Sequence, residues 1–357
     1  MKTYTIAVIP GDGIGVEVIR EGQKVLNALK KRLGLPIETV EYPEISGEGY
    51  LKRGTALPPE VFSELKQMDA IYFGAVGDPR ISDPEYAKQI VLTLRFGMDL
   101  YVNLRPAVLL DPSLTPLEKK NPINFVVIRE NTEDLYVGAG GVMKSGTPEE
   151  VALQTAVYTY TGTYRIIHFA FEYARKTGRK RVTMVDKSNV LTYGHDLWQR
   201  VFWMEASRYP DITSDHLYVD NAAQQLVKRP WEFEVIVTTN MFGDILSDLA
   251  GEIVGGLGVA PSGNINPEKR KGMFEPVHGS APKYAGKNVA NPIGAVLSLA
   301  LLLEFLGFSD AAKLVEDSVR ASVRAGVRTR DLGGTSSTSE VGDFFQDFIL
   351  STSPSAL

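Results

Sequence analysis

Apolar residues follow two rhythms along this chain. Runs such as "YTIAVIP" (4–10) and "DAIYFGAV" (69–76) are continuous, rich in β-branched residues and closed by Gly or Pro, which predicts strands buried on both faces. Between them, "VEVIREGQKVLNALKKR" (16–32) places apolar residues three and four apart, which predicts an amphipathic helix. The middle of the chain repeats the alternation with "INFVVI", "RVTMVD" and "FEVIVTT". Strand and helix in alternation predict an α/β fold, a parallel or mixed sheet flanked by helices. "AVYTYTGTY" (156–164) differs, with period two; it predicts an exposed antiparallel ribbon, or an edge that pairs with another subunit. The last hundred residues read as mainly helical. No Pro/Ser-rich linker occurs, so any lobe boundary must fall inside continuous structure.

Composition narrows the picture. The 357 residues suffice for two cored lobes, and 44% hydrophobic with 23% charged content is ordinary for a soluble protein. A net charge of -5 gives no reason to expect nucleic acid or a membrane surface as partner. The basic "KTGRKR" (176–181) closes a predicted helix, where cations suit the dipole. The absence of cysteine excludes disulfides, thiolate catalysis and Cys-ligated zinc. The start lacks the features of a signal peptide. "IGAVLSLALLL" (293–303) is too short to span a bilayer and reads as a buried helix. A cytoplasmic location is the expectation.

The chemistry sits in loops. "PGDGIG" (10–15) follows the first strand, but Gly11, Gly13 and Gly15 misplace the third glycine of the G-x-G-x-x-G dinucleotide pattern, and no Walker pattern occurs. "TTNMFGDILSDLAG" (238–251) carries Asp244 and Asp248 one helical turn apart on one face, in reach of one hard cation. Read alone, the pair equally suits a helix-start acid and an exposed neighbour. Asp220 also lies where a strand gives way to a helix. Arg95, Arg105 and Arg129 are guanidinium forks suited to a substrate with two carboxylates, or else to surface salt bridges. Tyr136 and Lys187 are the proton-moving candidates, each open to an ordinary surface role. The loop "FEPVHGSAPKYAGKNVANP" (274–292) is long and dense in Gly, Pro and Asn, a composition more often functional than idle, with His278 placed to face a flat ring.

In the order "IPGDGIG", "LYVNLRP", "RENTEDLYVG", "DKSNVL", "TTNMFGDILSDLA", "HGSAP" and "RTRDLGGTSST", the chain resembles the β-decarboxylating dehydrogenases that act on isopropylmalate, isocitrate, homoisocitrate and tartrate or D-malate. The resemblance implies that Arg95, Arg105 and Arg129 clamp the malate carboxylates and that Tyr136 is a general acid. Lys187 and Asp220 would complete the site of a neighbouring subunit, which makes a homodimer with shared active sites the smallest working unit and leaves a tetramer open. Asp220, Asp244 and Asp248 would hold Mg²⁺ or Mn²⁺. The implied fold is two-lobed and not Rossmann: a large cofactor-binding lobe of residues 1–101 and 256–357, and a dimerisation lobe of 102–255 with an arm near "AVYTYTGTY". Cofactor contacts would come from Gly13, Ile14, Glu275, His278, Gly279, Ala281 and Asn291.

Substrate choice in such enzymes is set on "PEYAKQIVLTLR" (84–95). Here Gln89, Val91 and Leu92 replace the polar residues that meet a third carboxylate; an isopropyl group would gain roughly 2 kcal/mol against this wall. That favours 3-isopropylmalate, the leucine-pathway substrate, over isocitrate. Lys88 stands where a glutamate is usual, the "RPE" approach is missing, and "SGNINPE" also suits tartrate and D-malate enzymes, so those remain open, as does a homoisocitrate-type activity. Lys283 and Tyr284 resemble the pair of NADP-linked relatives, but their further tyrosine and arginine are not recognisable near "RTRDLGG"; NAD is favoured with NADP close behind. A non-catalytic metabolite-binding relative is disfavoured by the intact Tyr136, Lys187 and three-aspartate set.

Overall fold

The structure, a computed structural model, describes residues 2–83 and 85–351. In chain order the first elements are β1 (Tyr4–Gly11), α1 (Gly15–Leu33), β2 (Ile37–Glu41), α2 (Gly47–Arg53), α3 (Pro59–Leu65), β3 (Ala70–Ala75), α4 (Glu85–Gly97) and β4 (Val102–Val108). The middle holds β5 (Asn124–Glu130), β6 (Gly140–Met143), β7 (Val151–Gln154), α5 (Tyr160–Lys176), β8 (Arg181–Asp186) and α6 (Gly194–Ala206). Then come β9 (Thr213–Tyr218), α7 (Val219–Lys228), β10 (Val235–Thr238) and α8 (Asn240–Ile253). The last part contributes β11 (Pro261–Asn266), β12 (Lys271–Pro276), α9 (Ile293–Leu306), α10 (Ser309–Arg324) and α11 (Thr338–Ser351). The α/β class expected from the two rhythms is what forms, and the apolar runs named above are its strands.

The chain divides into two compact units. The first comprises Met1–Leu100, Leu109–Lys120 and Gly251–Leu357. Its strands lie in the order β2-β1-β3-β12-β11, parallel except for the β11–β12 pair. This is not the 3-2-1-4-5-6 order of a Rossmann sheet. β1 connects toward β2 and β3 toward the other side of the sheet, the arrangement that places a ligand crevice at strand carboxyl ends; the loops after both strands meet there, where Asp12 accepts from the Gly77 amide at 2.8 Å. Ala7, Ile9, Ile71 and Phe73 of the sheet are buried together with Ile90 and Leu94 of α4. α9 is covered nearly all round, as its unbroken apolar sequence predicts. Segment 109–120 falls in this unit, whereas the sequence places it in the second lobe. It belongs here because Arg328 donates to Ser113 at 3.3 Å and Leu114 lies 3.3 Å from where a side chain on Gly255 would begin.

The second unit comprises Tyr101–Val108 and Asn121–Ala250. Its strands run β4-β5-β10-β8-β9, with only β4–β5 antiparallel. One expectation needs correction. "AVYTYTGTY" is not a ribbon: only Val157 makes a β-bridge, to Asp134, and α5 begins at Tyr160. Thr159 caps that helix by accepting from the Gly162 amide, and Tyr160, Tyr164 and His168 then stack at helical spacing. The alternation of Tyr and Thr imitated a strand. The antiparallel ribbon is instead β6–β7, just upstream, with every residue exposed. Among the described residues, no helix is long and apolar enough to cross a membrane.

Candidate active site

In the second unit, three of the predicted residues, Arg105, Arg129 and Tyr136, converge on α8, which carries Asp244 and Asp248. Arg105 comes from β4 and Arg129 from the end of β5, and both are buried. Arg129 pairs through Nη1 with Asp244 Oδ1, and its Nε donates to Asn240 Oδ1 at 2.9 Å. The Tyr136 hydroxyl donates to the other Asp244 oxygen at 2.8 Å, and the Arg129 guanidinium lies 5.1 Å from the Tyr136 ring centre. Arg105 Nη1 donates to Ser247 Oγ at 2.7 Å and lies 3.4 Å from both Asp244 and Asp248. Gly243 makes the approach possible: a Cβ there would stand 2.5 Å from Arg129 Cγ. Two guanidiniums, a phenol and two carboxylates thus share one patch.

Lys187 follows β8, and its ammonium pairs with Asp220, in the first turn of α7, with the Tyr218 ring 5.8 Å away. The Lys187 hydrogen bond holds the Asp220 carboxyl below its ordinary range. Within one chain this pair stays apart from the α8 patch: among the described residues, no three acids or histidines gather in a group able to hold a metal. Asp244 and Asp248 still fit a hard divalent ion. Their carboxylates are partly exposed, point from one helix face, and are already balanced by the positive charge of Arg105. Two carboxylates with open positions suit magnesium, which keeps water and substrate in its shell.

In the first unit, Arg95 closes α4 and donates to Glu275 Oε1 at 3.0 Å, the same oxygen that accepts from Asn264 Nδ2 at 2.8 Å. A predicted substrate residue and a predicted cofactor residue are therefore partners. Val91 and Leu92 are half-buried on the same helix, with Gln89 and Lys88 exposed; Lys88 pairs with Glu85 at 2.9 Å.

The glycine-rich loops meet at the β1/β3 crevice. Ile14 donates its amide to the Ser280 carbonyl at 2.8 Å, and Ser280 Oγ donates to the Gly77 carbonyl at 2.7 Å. Gly13 has φ +57°, and a Cβ on it would stand 2.0 Å from the Ser280 oxygen, so only glycine fits. A cavity of about 300 Å³ opens there, lined by Asp12, Gly13, Glu48, Gly77, Arg80 and Pro282, among others. Arg80 is bound to Asp78 at 2.6 Å and Glu48 at 3.2 Å, so with Asp12 the pocket is acidic on balance. His278 donates through Nδ1 to the Gly279 carbonyl at 3.0 Å; burial pushes its pKa down, and its buried Nε2 has no hydrogen-bond partner among the described residues. A buried ring nitrogen of that kind is a place for a ligand's polar group. Ala281 takes φ +38°, Lys283 lies 4.7 Å over the Tyr284 ring, and Asn291 donates to Asp331 at 2.9 Å.

Several residues escaped the sequence. Asn240 and Ser247 stand inside the quoted α8 segment, where their place between an acid pair and two arginines was the available signal. Asp12 accepts from the Gly47 and Gly77 amides and the Tyr86 hydroxyl, at 2.7, 2.8 and 2.7 Å. Glu17 accepts from the Gly286 and Asn288 amides, both at 2.8 Å. Neither bond set has a local signature.

The chain is similar to known proteins over nearly its whole length. The family model described as isocitrate/isopropylmalate dehydrogenase matches residues 5–345. A 3-isopropylmalate dehydrogenase of Thermobifida fusca is 45% identical over 345 residues, covering 96% of each chain. One from Streptomyces coelicolor is 46% identical over 345 residues, covering 96% of this chain and 97% of its own. The crystal structure of isocitrate dehydrogenase from Methylococcus capsulatus superposes with a TM-score of 0.88 at 35% identity, covering 98% of this chain and all (100%) of the other. The chain therefore belongs to the isocitrate/isopropylmalate dehydrogenase family.

Proposed function

We propose that this chain catalyses the metal-dependent oxidative decarboxylation of a 3-substituted (R)-malate, with 3-isopropylmalate as substrate, 2-oxo-4-methylpentanoate and CO₂ as products, and NAD as oxidant. The observation that carries the reading is the joint grip of Arg105, Arg129 and Tyr136 on one face of α8. It places carboxylate-binding groups and a proton donor beside a metal-binding acid pair. The named relatives supply the substrate.

Arg95, Arg105 and Arg129 bind and orient the two carboxylates, being charged at every working pH. Val91 and Leu92 offer an apolar wall to the 3-substituent, where a third carboxylate would lose its hydration without return. Asp244 and Asp248, with Asp220 from a second copy of the chain, would hold a Mg²⁺ or Mn²⁺ ion, which would supply electrostatic stabilisation of negative charge on the substrate. Lys187, from that second copy, would take up the 2-hydroxyl proton in the oxidation step, for which bound NAD would supply the hydride acceptor. After the carboxylate at C3 departs as CO₂, Tyr136 delivers a proton to C3.

The pairing of copies is supported by apolar exposure. Leu153 on the ribbon is 59% exposed, Ile245 on α8 57% and Tyr193 94%, apolar surface that a second copy of the chain would cover. NAD is preferred over NADP because the crevice pocket is acidic on balance and suits ribose hydroxyls better than an added phosphate, although Lys283 offers one cation nearby. The location that fits this chemistry is the cytoplasm.

The test is steady-state kinetics with 3-isopropylmalate, D-malate, tartrate and isocitrate, each with Mg²⁺ and either nucleotide. Highest kcat/KM with 3-isopropylmalate and NAD is expected. Preference for D-malate or tartrate would move the assignment to the second reading that exposed Lys88 keeps open. Turnover of none would overturn the dehydrogenase reading.

A further inference from the structure

A buried polar chain in the second unit touches every element that carries the proposed proton movers. The Lys187 amide donates to His195 Nδ1 at 2.8 Å. A backbone N–H can only donate, so Nδ1 must hold its lone pair and the proton of a neutral ring must sit on Nε2. Nε2 in turn faces the Tyr158 hydroxyl at 3.2 Å, and that hydroxyl donates to Asp134 Oδ1 at 2.8 Å. The other Asp134 oxygen accepts from the Met241 amide at 2.9 Å, in the first turn of α8. The direction of each bond follows from the one before.

The chain is enclosed as well as connected. His195 is fully buried, Asp134 nearly so and Tyr158 half-buried. The His195 ring meets Tyr158 and Phe242 edge-on, at 5.1 and 5.6 Å between centres. Tyr158 lies so close over Gly194 that a Cβ there would stand 2.2 Å from its ring. Asp134 holds φ 67° and ψ -146°, a conformation that non-glycine residues adopt only when their surroundings enforce it. Directly after it comes the turn bearing Tyr136. Burial lowers the affinity of His195 for a second proton, in keeping with a neutral ring.

We propose that His195, Tyr158 and Asp134 form a positioning relay that fixes the Lys187 backbone relative to the Tyr136 turn and to the start of the helix carrying Asp244 and Asp248. The inference rests on the roles given above to Lys187 and Tyr136. None of the three relay residues touches substrate; they act through those two. When two copies share sites, Lys187 serves one and Tyr136 the other, so the relay keeps the halves of both sites in register through a single chain.

Two measurements test it. Nitrogen-15 NMR of the four histidines reads the tautomer in the whole protein without substrate or metal. His195 should be neutral with its proton on Nε2; a proton on Nδ1, or an imidazolium at neutral pH, overturns the relay whatever the enzyme proves to catalyse. Kinetics then separates positioning from support. Tyr158→Phe removes one oxygen and should lower kcat roughly tenfold, the worth of about one hydrogen bond, with both KM values within about twofold. His195→Leu should lower kcat further, and His195→Asn, whose Oδ1 can replace Nδ1 as acceptor, should recover most of the loss. An unchanged kcat in Tyr158→Phe, or equal loss in the Leu and Asn variants, overturns it. Should His195→Leu fail to fold, the NMR and Tyr158→Phe results decide.

Discussion

Arg129 and Asp244 form an ion pair in which the two members differ sharply in exposure: the guanidinium is 1% exposed and the carboxylate 41%. The arginine is fixed by β5, Asn240 and Gly243, whereas the acid is open to a ligand while already held in place. Asp244→Asn should therefore abolish metal-dependent turnover with little loss of thermal stability, since Asn keeps an acceptor for Arg129 and the side chain at 244 is itself partly exposed. Unfolding curves and calorimetric Mg²⁺ titration of the two proteins check this. Unchanged activity in metal-depleted buffer would remove the metal assignment.

Tyr136 donates to that same carboxylate and is assigned the last proton transfer. Tyr136→Phe should lower kcat by about 10²–10⁴-fold, the usual contribution of a positioned acid. Because hydride transfer precedes this step, a rapid-mixing experiment should still show one burst of reduced nicotinamide per site. If the burst is lost as well, Tyr136 acts before or during oxidation.

Glu130, beside Arg129 on β5, is almost completely buried, and burial pushes its pKa up to about 7 against the three hydrogen bonds it accepts from the Thr132 amide, Thr132 hydroxyl and Glu133 amide. Its folded value exceeds its unfolded one, so the folded state binds the extra proton between them. The stability it contributes is fully present below the ordinary value of 4.5 and is lost as pH rises through about 7. Urea unfolding at about pH 5 and about pH 8 should show this fall, and Glu130→Gln should flatten it. An identical slope in the variant would place the titration elsewhere.

Metal removal gives a prediction about assembly. If Asp220 of a second copy helps Asp244 and Asp248 hold the ion, chelation should lower the unfolding temperature more at low protein concentration than at high, because loss of the ion then favours dissociation. Sedimentation with and without chelator reads this directly. A single concentration-independent midpoint would mean that the ion, where bound, does not bridge copies.

What could be read from sequence was what is local or repeated. The Asp244–Asp248 pair was visible because helical spacing alone puts both on one face, and β1, β3, β5, β8 and β10 announced themselves as apolar runs. The stretch from Ala156 to Tyr164 misled because Thr and Tyr alternate both in a strand and at a capped helix start; the decisive Thr159–Gly162 bond is a detail of geometry. Arg95 with Glu275, and Lys187 with His195 and Asp134, were out of reach for a different reason. Arg95 on α4 and Glu275 on β12 lie 180 residues apart, and Lys187 is tied to Asp134 only through His195 and Tyr158, so nothing in either partner's neighbourhood specifies the other.

Glu17 offers a last test, of how the nucleotide loop is held. It is buried on α1, and each of its oxygens accepts one backbone amide, from Gly286 and from Asn288. Those residues flank the turn after Lys283 and Tyr284, so the carboxylate clamps the segment expected to grip adenosine. Glu17→Gln keeps size but turns one acceptor into a donor, which then confronts an amide N–H. Leaving that buried amide unpaired should cost about 1–3 kcal/mol. If the loop binds the nucleotide, part of that cost appears in binding: KM for NAD should rise several-fold while kcat and KM for the malate stay near the parent values. A fall in stability with unchanged KM for NAD would make Glu17 a structural clamp alone and would move the adenosine site away from this loop.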